Sequence, residues 1–122
     1  MNILIDTHIF LWLLKEPEKI SQEHTAILKS PHTVYLSAIS IAELMIKSSV
    51  GKLTVDFDPV DLAEKSGLKI LDFNGEDANT LKLLPLHHKD PFDRMLISQS
   101  INRDLSIMTN DSKFKLYDCS LV

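Results

Sequence analysis

Four short runs rich in apolar and β-branched residues, at positions 2–5, 33–36, 68–73 and 105–108, alternate along this chain with stretches of helical spacing. That alternation constrains the fold more than any other feature. Apolar runs of this length suit strands buried on both faces. Strand–helix alternation builds βαβ units, and these give a mostly parallel sheet with helices on both faces. A fifth, edge strand is expected at 115–117. The fold class is therefore α/β, with a mostly parallel sheet of about five strands.

The helices are marked by their ends. Thr7 is expected to cap a helix over 9–14, which is apolar nearly all round and includes Phe10 and Trp12. Such a helix is either buried or awaiting a partner. Ser21 caps a second helix reaching about residue 29. Residues 37–50 read as a third, ended by Gly51. Asp58-Pro59 opens a fourth, closed by Gly67. Asn74-Gly75 reads as a turn, followed by a helix over 76–84 that Pro85 stops. Asp90-Pro91 opens the last helix, to about residue 102.

At 122 residues, with 44% hydrophobic and 25% charged residues, the chain is expected to form a single domain over 1–122. Its one cysteine excludes an internal disulfide. No leader pattern is visible, and the apolar run at 9–14 is too short to span a bilayer. The expected location is the cytoplasm, with no membrane partner. A net charge of −4 argues against a simple basic nucleic-acid binder. Two divalent cations held by acids would cancel it.

The acids have a common address. Asp6 and Asp111 each follow a strand. Asp90 and Asp93 stand at the start of the last helix, and Glu43 lies near the start of the helix after the second strand. Helices of βαβ units begin at the carboxyl edge of the sheet, where ligands bind in open parallel sheets. Clustered carboxylates repel unless they take up protons or cations. An all-oxygen site suits Mg²⁺ or Mn²⁺, and a metal so held serves phosphodiester hydrolysis.

Each acid also has a local reading. Asp90 caps a helix with Asp93 at its third position. Ser40 and Glu43 have capping-box spacing. Asp111 suits a helical cap. Asp6, closing a buried strand, is the costliest to leave unpaired. Thr7, Thr109 and Asn110 are accessory candidates near these acids. His87, His88, Arg94 and Lys113 are candidate substrate contacts, with a solvated surface as the alternative. His8, His24 and His32 lack ligand spacing, which excludes zinc. With three glycines in all, no phosphate-binding loop is present.

Leu4-Ile5-Asp6-Thr7, Ser40-Ile41-Ala42-Glu43, Asp90-Pro91-Phe92-Asp93-Arg94 and Thr109-Asn110-Asp111 together resemble the PIN-domain nucleases, and within them the VapC-type toxins of toxin–antitoxin pairs. The resemblance covers essentially the whole chain. It implies a three-layer α/β/α sandwich and a Mg²⁺- or Mn²⁺-dependent endoribonuclease. It also implies a homodimer and a small antitoxin partner, for which part of the 9–14 helix would be a docking surface. Carried onto this sequence, the catalytic and metal-binding acids are Asp6, Glu43, Asp93 and Asp111, with Asp90 as an accessory acid or cap. Asp90 and Asp93 can exchange roles. The alternatives are a PIN-type nuclease in RNA processing or on DNA structures, or a non-catalytic metal-binding signalling module. Against the last, Asn74-Gly75 closes the middle strand where a receiver carries its aspartate.

Overall fold

The computed structural model describes all 122 residues. The first strand, β1 (Asn2–Ile5), leads into α1 (Thr7–Lys15), a 3₁₀ turn at Pro17–Lys19 and α2 (Gln22–Lys29). Then come β2 (Thr33–Ser37), α3 (Ala38–Ser49), α4 (Pro59–Lys65) and β3 (Lys69–Leu71). The chain continues through α5 (Gly75–Thr80), a 3₁₀ turn at Leu81–Leu83, α6 (Pro91–Arg103), β4 (Ser106–Met108) and a 3₁₀ segment at Ser112–Leu116. The strands lie in the order β3-β2-β1-β4. All three pairings are parallel, with Ile3 opposite Val34 and Ser106, and Leu36 opposite Ile70. No helix is long and apolar enough to cross a membrane.

Burial on both faces follows from the two-residue period of a strand. Ile3 and Ile5 point to one face, where they pack with Ile9 and Phe10 of α1, Leu44 of α3 and Ala63 of α4. Leu4 points to the other, against Leu96 of α6 and Leu105. Ile107 joins Ile97, Phe114 and Tyr117 on that side. Helices thus cover both faces, and the fold is a three-layer α/β/α sandwich. The all-apolar α1 buries only part of its circumference: Ile9 and Phe10 are buried, while Leu11 to Leu14 are half-buried.

Several local expectations are corrected. The edge strand at 115–117 is absent. Residues 112–116 wind as a 3₁₀ segment because Phe114 and Tyr117, three apart, are the buried pair, and a strand would turn them to opposite faces. A single parallel bridge, Ile107 to Leu121, is all that flanks β4 on that side. Asp6, rather than Thr7, caps α1 by accepting from the Ile9 amide. Asn74 is a helix cap rather than a free turn: it forms a capping box with Asp77. The helix after it ends at Thr80 and tightens into 3₁₀ before Pro85. Asp77 is fully buried and receives Asn102 Nδ2 at 2.7 Å and Arg103 Nη2 at 2.8 Å, which joins α5 to α6. Burial alone would raise the Asp77 pKa; its bonds from Arg103, the Asn74 amide and Asn102 outweigh that and hold it below the usual range.

Candidate active site

The strand order reverses at β1: the chain moves from β1 to β2 and β3 on one side, then returns to place β4 on the other. Such a switch opens a crevice at the carboxyl ends of the two strands. Asp6 leaves β1 there, and Thr109, Asn110 and Asp111 follow β4 beside it. The Asp6 amide donates to Met108 O at 3.0 Å, which holds the two strand ends together.

A near-continuous set of polar contacts runs round this edge. The Thr109 hydroxyl donates to Asp6 Oδ2 and accepts the Asp111 amide at 3.0 Å. Asp111 in turn caps the 3₁₀ segment through the Lys113 amide. On the other side, Thr7 donates to Glu43 Oε1 at 2.8 Å and lies 2.9 Å from the buried Ser40 hydroxyl. Ser37, not Ser40, caps α3 by accepting from the Ile39 amide, so the capping box that the Ser40–Glu43 spacing allows does not form and Glu43 is free to bond α1. Its other oxygen receives Lys47 Nζ at 2.6 Å. One turn of α3 separates the two residues, a spacing the sequence displays.

Asp90 and Asp93 open α6. Asp90 Oδ1 caps it through the Phe92 and Asp93 amides. That leaves the Asp93 carboxylate free of capping duty. Its Oδ2 faces His88 Nε2 at 3.4 Å. His88 Nδ1 meets the Tyr117 hydroxyl at 2.7 Å, and that hydroxyl also takes Arg94 Nη1 at 3.1 Å. Arg94 further donates to the carbonyls of Pro85 at 2.8 Å and Leu84 at 3.4 Å. His88 and Arg94 thus brace the loop before α6. His87 is exposed against the edge of the Tyr117 ring, and Lys113 is exposed. Nothing in the sequence marks Tyr117 as a partner of His88, twenty-nine residues away.

The electrostatics are those of buried, clustered acids. Burial pushes the Asp93 pKa up to about 6, and Asp90 and Glu43 add to the rise while His88 opposes it. Burial also raises Asp6, against the lowering effect of Thr109, the Ile9 amide and His8; Asp111 adds to the rise. Lys47 is held above its ordinary value by its bond to Glu43, with further attraction from Asp90 and Asp93. The Lys47 ammonium therefore sits where it serves three acids. No three acid, histidine or cysteine side chains close into a ready cage.

Two cavities meet at His8. One, of about 250 Å³, is lined by Asp6, His8, Trp12, Asn110 and Asp111. The other, of about 190 Å³, includes Thr7, His8, Glu43, Lys47 and Lys52. His8 and Trp12 carry no ligand signature in the sequence. Only the turn of α1 that brings them beside Asp6 identifies them as walls.

A comparison with curated proteins finds no match. Among solved structures, a chain of VapBC2 from Rickettsia felis, bound to a DNA fragment from its promoter, is similar with a TM-score of 0.75 at 19% identity, covering 99% of this chain and 96% of that one. FitAcB from Neisseria gonorrhoeae gives a TM-score of 0.67 at 23% identity, covering 98% and 95%. DNA-bound VapBC from Salmonella typhimurium gives 0.69 at 18%, covering 99% and 96%. At these identities the likeness is one of fold. The family model for the PIN domain matches residues 3–118, nearly the whole chain, and the protein belongs to the PIN-domain family.

Proposed function

We propose that this protein is a divalent-metal-dependent endoribonuclease, working as a single domain over 1–122 and serving as the toxin of a toxin–antitoxin pair. The observation that carries the reading is the delivery of Asp6, Glu43, Asp93 and Asp111 from four separate segments to one edge of the sheet, at the switch in strand order. These four are the proposed metal-binding and catalytic residues.

The residues fit a hard cation. Every donor is a carboxylate oxygen, which favours Mg²⁺ or Mn²⁺. The raised pKa values of Asp6 and Asp93 come first from burial and then from neighbouring acids, and a bound cation would offset both by stabilising the charged carboxylates. When bound, the cation supplies Lewis acidity to the phosphate and to the attacking water. The protein's part is positional. Thr109 orients Asp6, Thr7 orients Glu43, and Asp90 caps α6 so that Asp93 stays available. His88 steadies Asp93, Arg94 braces the loop that carries His88, and Asn110, His87 and Lys113 are left to meet substrate.

The solved VapBC structures support the choice of partner. A small antitoxin would lie on the half-buried face of α1, at Leu11, Leu13 and Leu14. Exposed Met45, Ile46 and Val50 offer apolar surface for a homodimer. The reading implies action in the cytoplasm, where the RNA is.

The deciding experiment assays Mg²⁺-dependent cleavage of total RNA by the wild type, Asp6→Asn and Asp93→Asn, with circular dichroism as a control for folding. Cleavage by the wild type alone is expected, together with growth arrest on induced expression that both substitutions reverse. Undiminished cleavage in both variants would remove the assigned site. Cleavage of DNA but not RNA would move the reading to a DNA nuclease.

A further inference from the structure

The cavity beside Asp6 and Asp111 has an unusual wall for an acidic site. Trp12 is half-buried, packed against the core cluster that includes Ile9 and Phe10 of its own helix. It also lines the cavity, with the His8 ring 6.5 Å from it and inclined at 53°. The opposite walls are Asn110, Asp6 and Asp111. At about 250 Å³ the space is large enough to take a planar ring system.

Bare, its two carboxylates repel phosphate, and as the proposed metal ligands they take it only through a cation. A neutral aromatic group with donors on its edge meets no such repulsion. It would stack on an indole that the core holds still, so little conformational freedom is lost on binding. The Asn110 side-chain oxygen can accept from the amino or imino groups of a base edge, and its NH₂ can donate. Single-stranded RNA is recognised in this way, by bases splayed onto aromatic side chains.

We propose that Trp12, with Asn110, forms a nucleobase subsite for the nucleotide next to the scissile phosphate. The proposal rests on the ribonuclease reading above and deepens it. Trp12 would set which base flanks the cut, while the acids deal with the phosphate.

Trp12 is the chain's only tryptophan, so its emission reports this subsite alone. The test titrates Asp93→Asn protein in Mg²⁺ with a short labelled oligoribonucleotide, and with the same oligomer made abasic at each position in turn. Tryptophan emission reports stacking and label anisotropy reports binding. Saturable quenching, lost for one abasic position, is expected. In cleavage assays with otherwise wild-type protein, Trp12→Leu keeps apolar packing but removes the indole. It should raise KM roughly tenfold with a smaller change in kcat, and Trp12→Phe should recover most of the loss.

Unchanged emission overturns the subsite, whether or not anisotropy reports binding. So does a Trp12→Leu protein with wild-type KM. A Trp12→Leu protein that loses only a small protein partner, with RNA kinetics intact, also overturns it and makes the wall a protein-docking surface. Failure of the parent reading looks different: wild-type protein then leaves RNA uncut.

Discussion

The Tyr117 hydroxyl lies 2.7 Å from Nδ1 of His88 and decides which nitrogen of that ring carries the hydrogen. It accepts from the His88 amide at 3.2 Å and from Arg94 at 3.1 Å, which fills its two lone pairs. Its own proton is then left for Nδ1, so the ring hydrogen sits on Nε2. That nitrogen is buried without a hydrogen-bond partner, and its nearest acid is Asp93, with Oδ2 3.4 Å away. A tyrosine from the C-terminal segment thus orients a histidine against a candidate metal ligand. Tyr117→Phe should lower kcat for RNA cleavage about tenfold, with a smaller effect on KM, as loss of a ligand's supporting partner does. Steady-state kinetics on an oligoribonucleotide check this. A wild-type kcat would reduce the contact to loop packing.

Asp93 should make the metal-free protein less stable at neutral pH than in mild acid. Its pKa is about 6 in the fold against an ordinary value of 3.8. Between those values the folded state holds a proton that the unfolded state has released. Stability therefore falls as pH rises through that window and is lowest above it. Urea unfolding in a chelator should show stability higher at pH 5 than at pH 7.5. Asp93→Asn should flatten the difference and raise stability at pH 7.5 by on the order of 1 to 3 kcal/mol. A variant less stable than wild type at pH 7.5 would contradict this.

Lys47 should compete with a divalent cation. Its ammonium is 2.6 Å from Glu43 and is attracted by Asp90 and Asp93. Replacing it by methionine removes a positive charge from the edge where the cation would enter. The Mg²⁺ concentration that half-saturates the rise in melting temperature should fall by roughly threefold to tenfold in Lys47→Met. Thermal denaturation against Mg²⁺ measures it without reference to activity. An increase would mean that Lys47 supports the cation instead.

The Asp77–Arg103 pair should matter to stability and not to metal binding. Asp77 is fully buried, Arg103 reaches it at 2.8 Å, and neither shares a hydrogen bond with Asp6, Glu43, Asp93 or Asp111. Removing one partner leaves the other's charge uncompensated, which costs about 3–5 kcal/mol in a buried setting. A domain of this size has only about 5–15 kcal/mol in total. Arg103→Ala should therefore unfold at markedly lower urea concentration, with the Mg²⁺ response of the folded fraction retained. Because the Asp77 pKa is depressed, its stabilisation is present above the usual carboxylate range and is lost as pH falls through the lowered value.

What the sequence determined by itself was periodicity and termini. Asp58-Pro59, Ser21 and Asp90-Pro91 cap helices where their local chemistry requires, and the apolar runs became parallel strands. These features depend on neighbours within a few residues, so one dimension suffices. The acids at strand ends were legible for the same reason: in a βαβ chain the carboxyl edge is implied by element order. Tertiary structure alone decided the rest. Residues 115–117 are not a strand because Phe114 and Tyr117 face the core together. Glu43 is not in a capping box because α3 starts three residues earlier than Ser40, at the Ser37 cap, and Thr7 bonds it across the sheet edge instead. Asp93 acquires its brace through His88 and Tyr117, and Asp6 acquires Trp12 as a neighbour. Each is a contact between side chains, and its energy depends on burial and distance that only the packed layers supply.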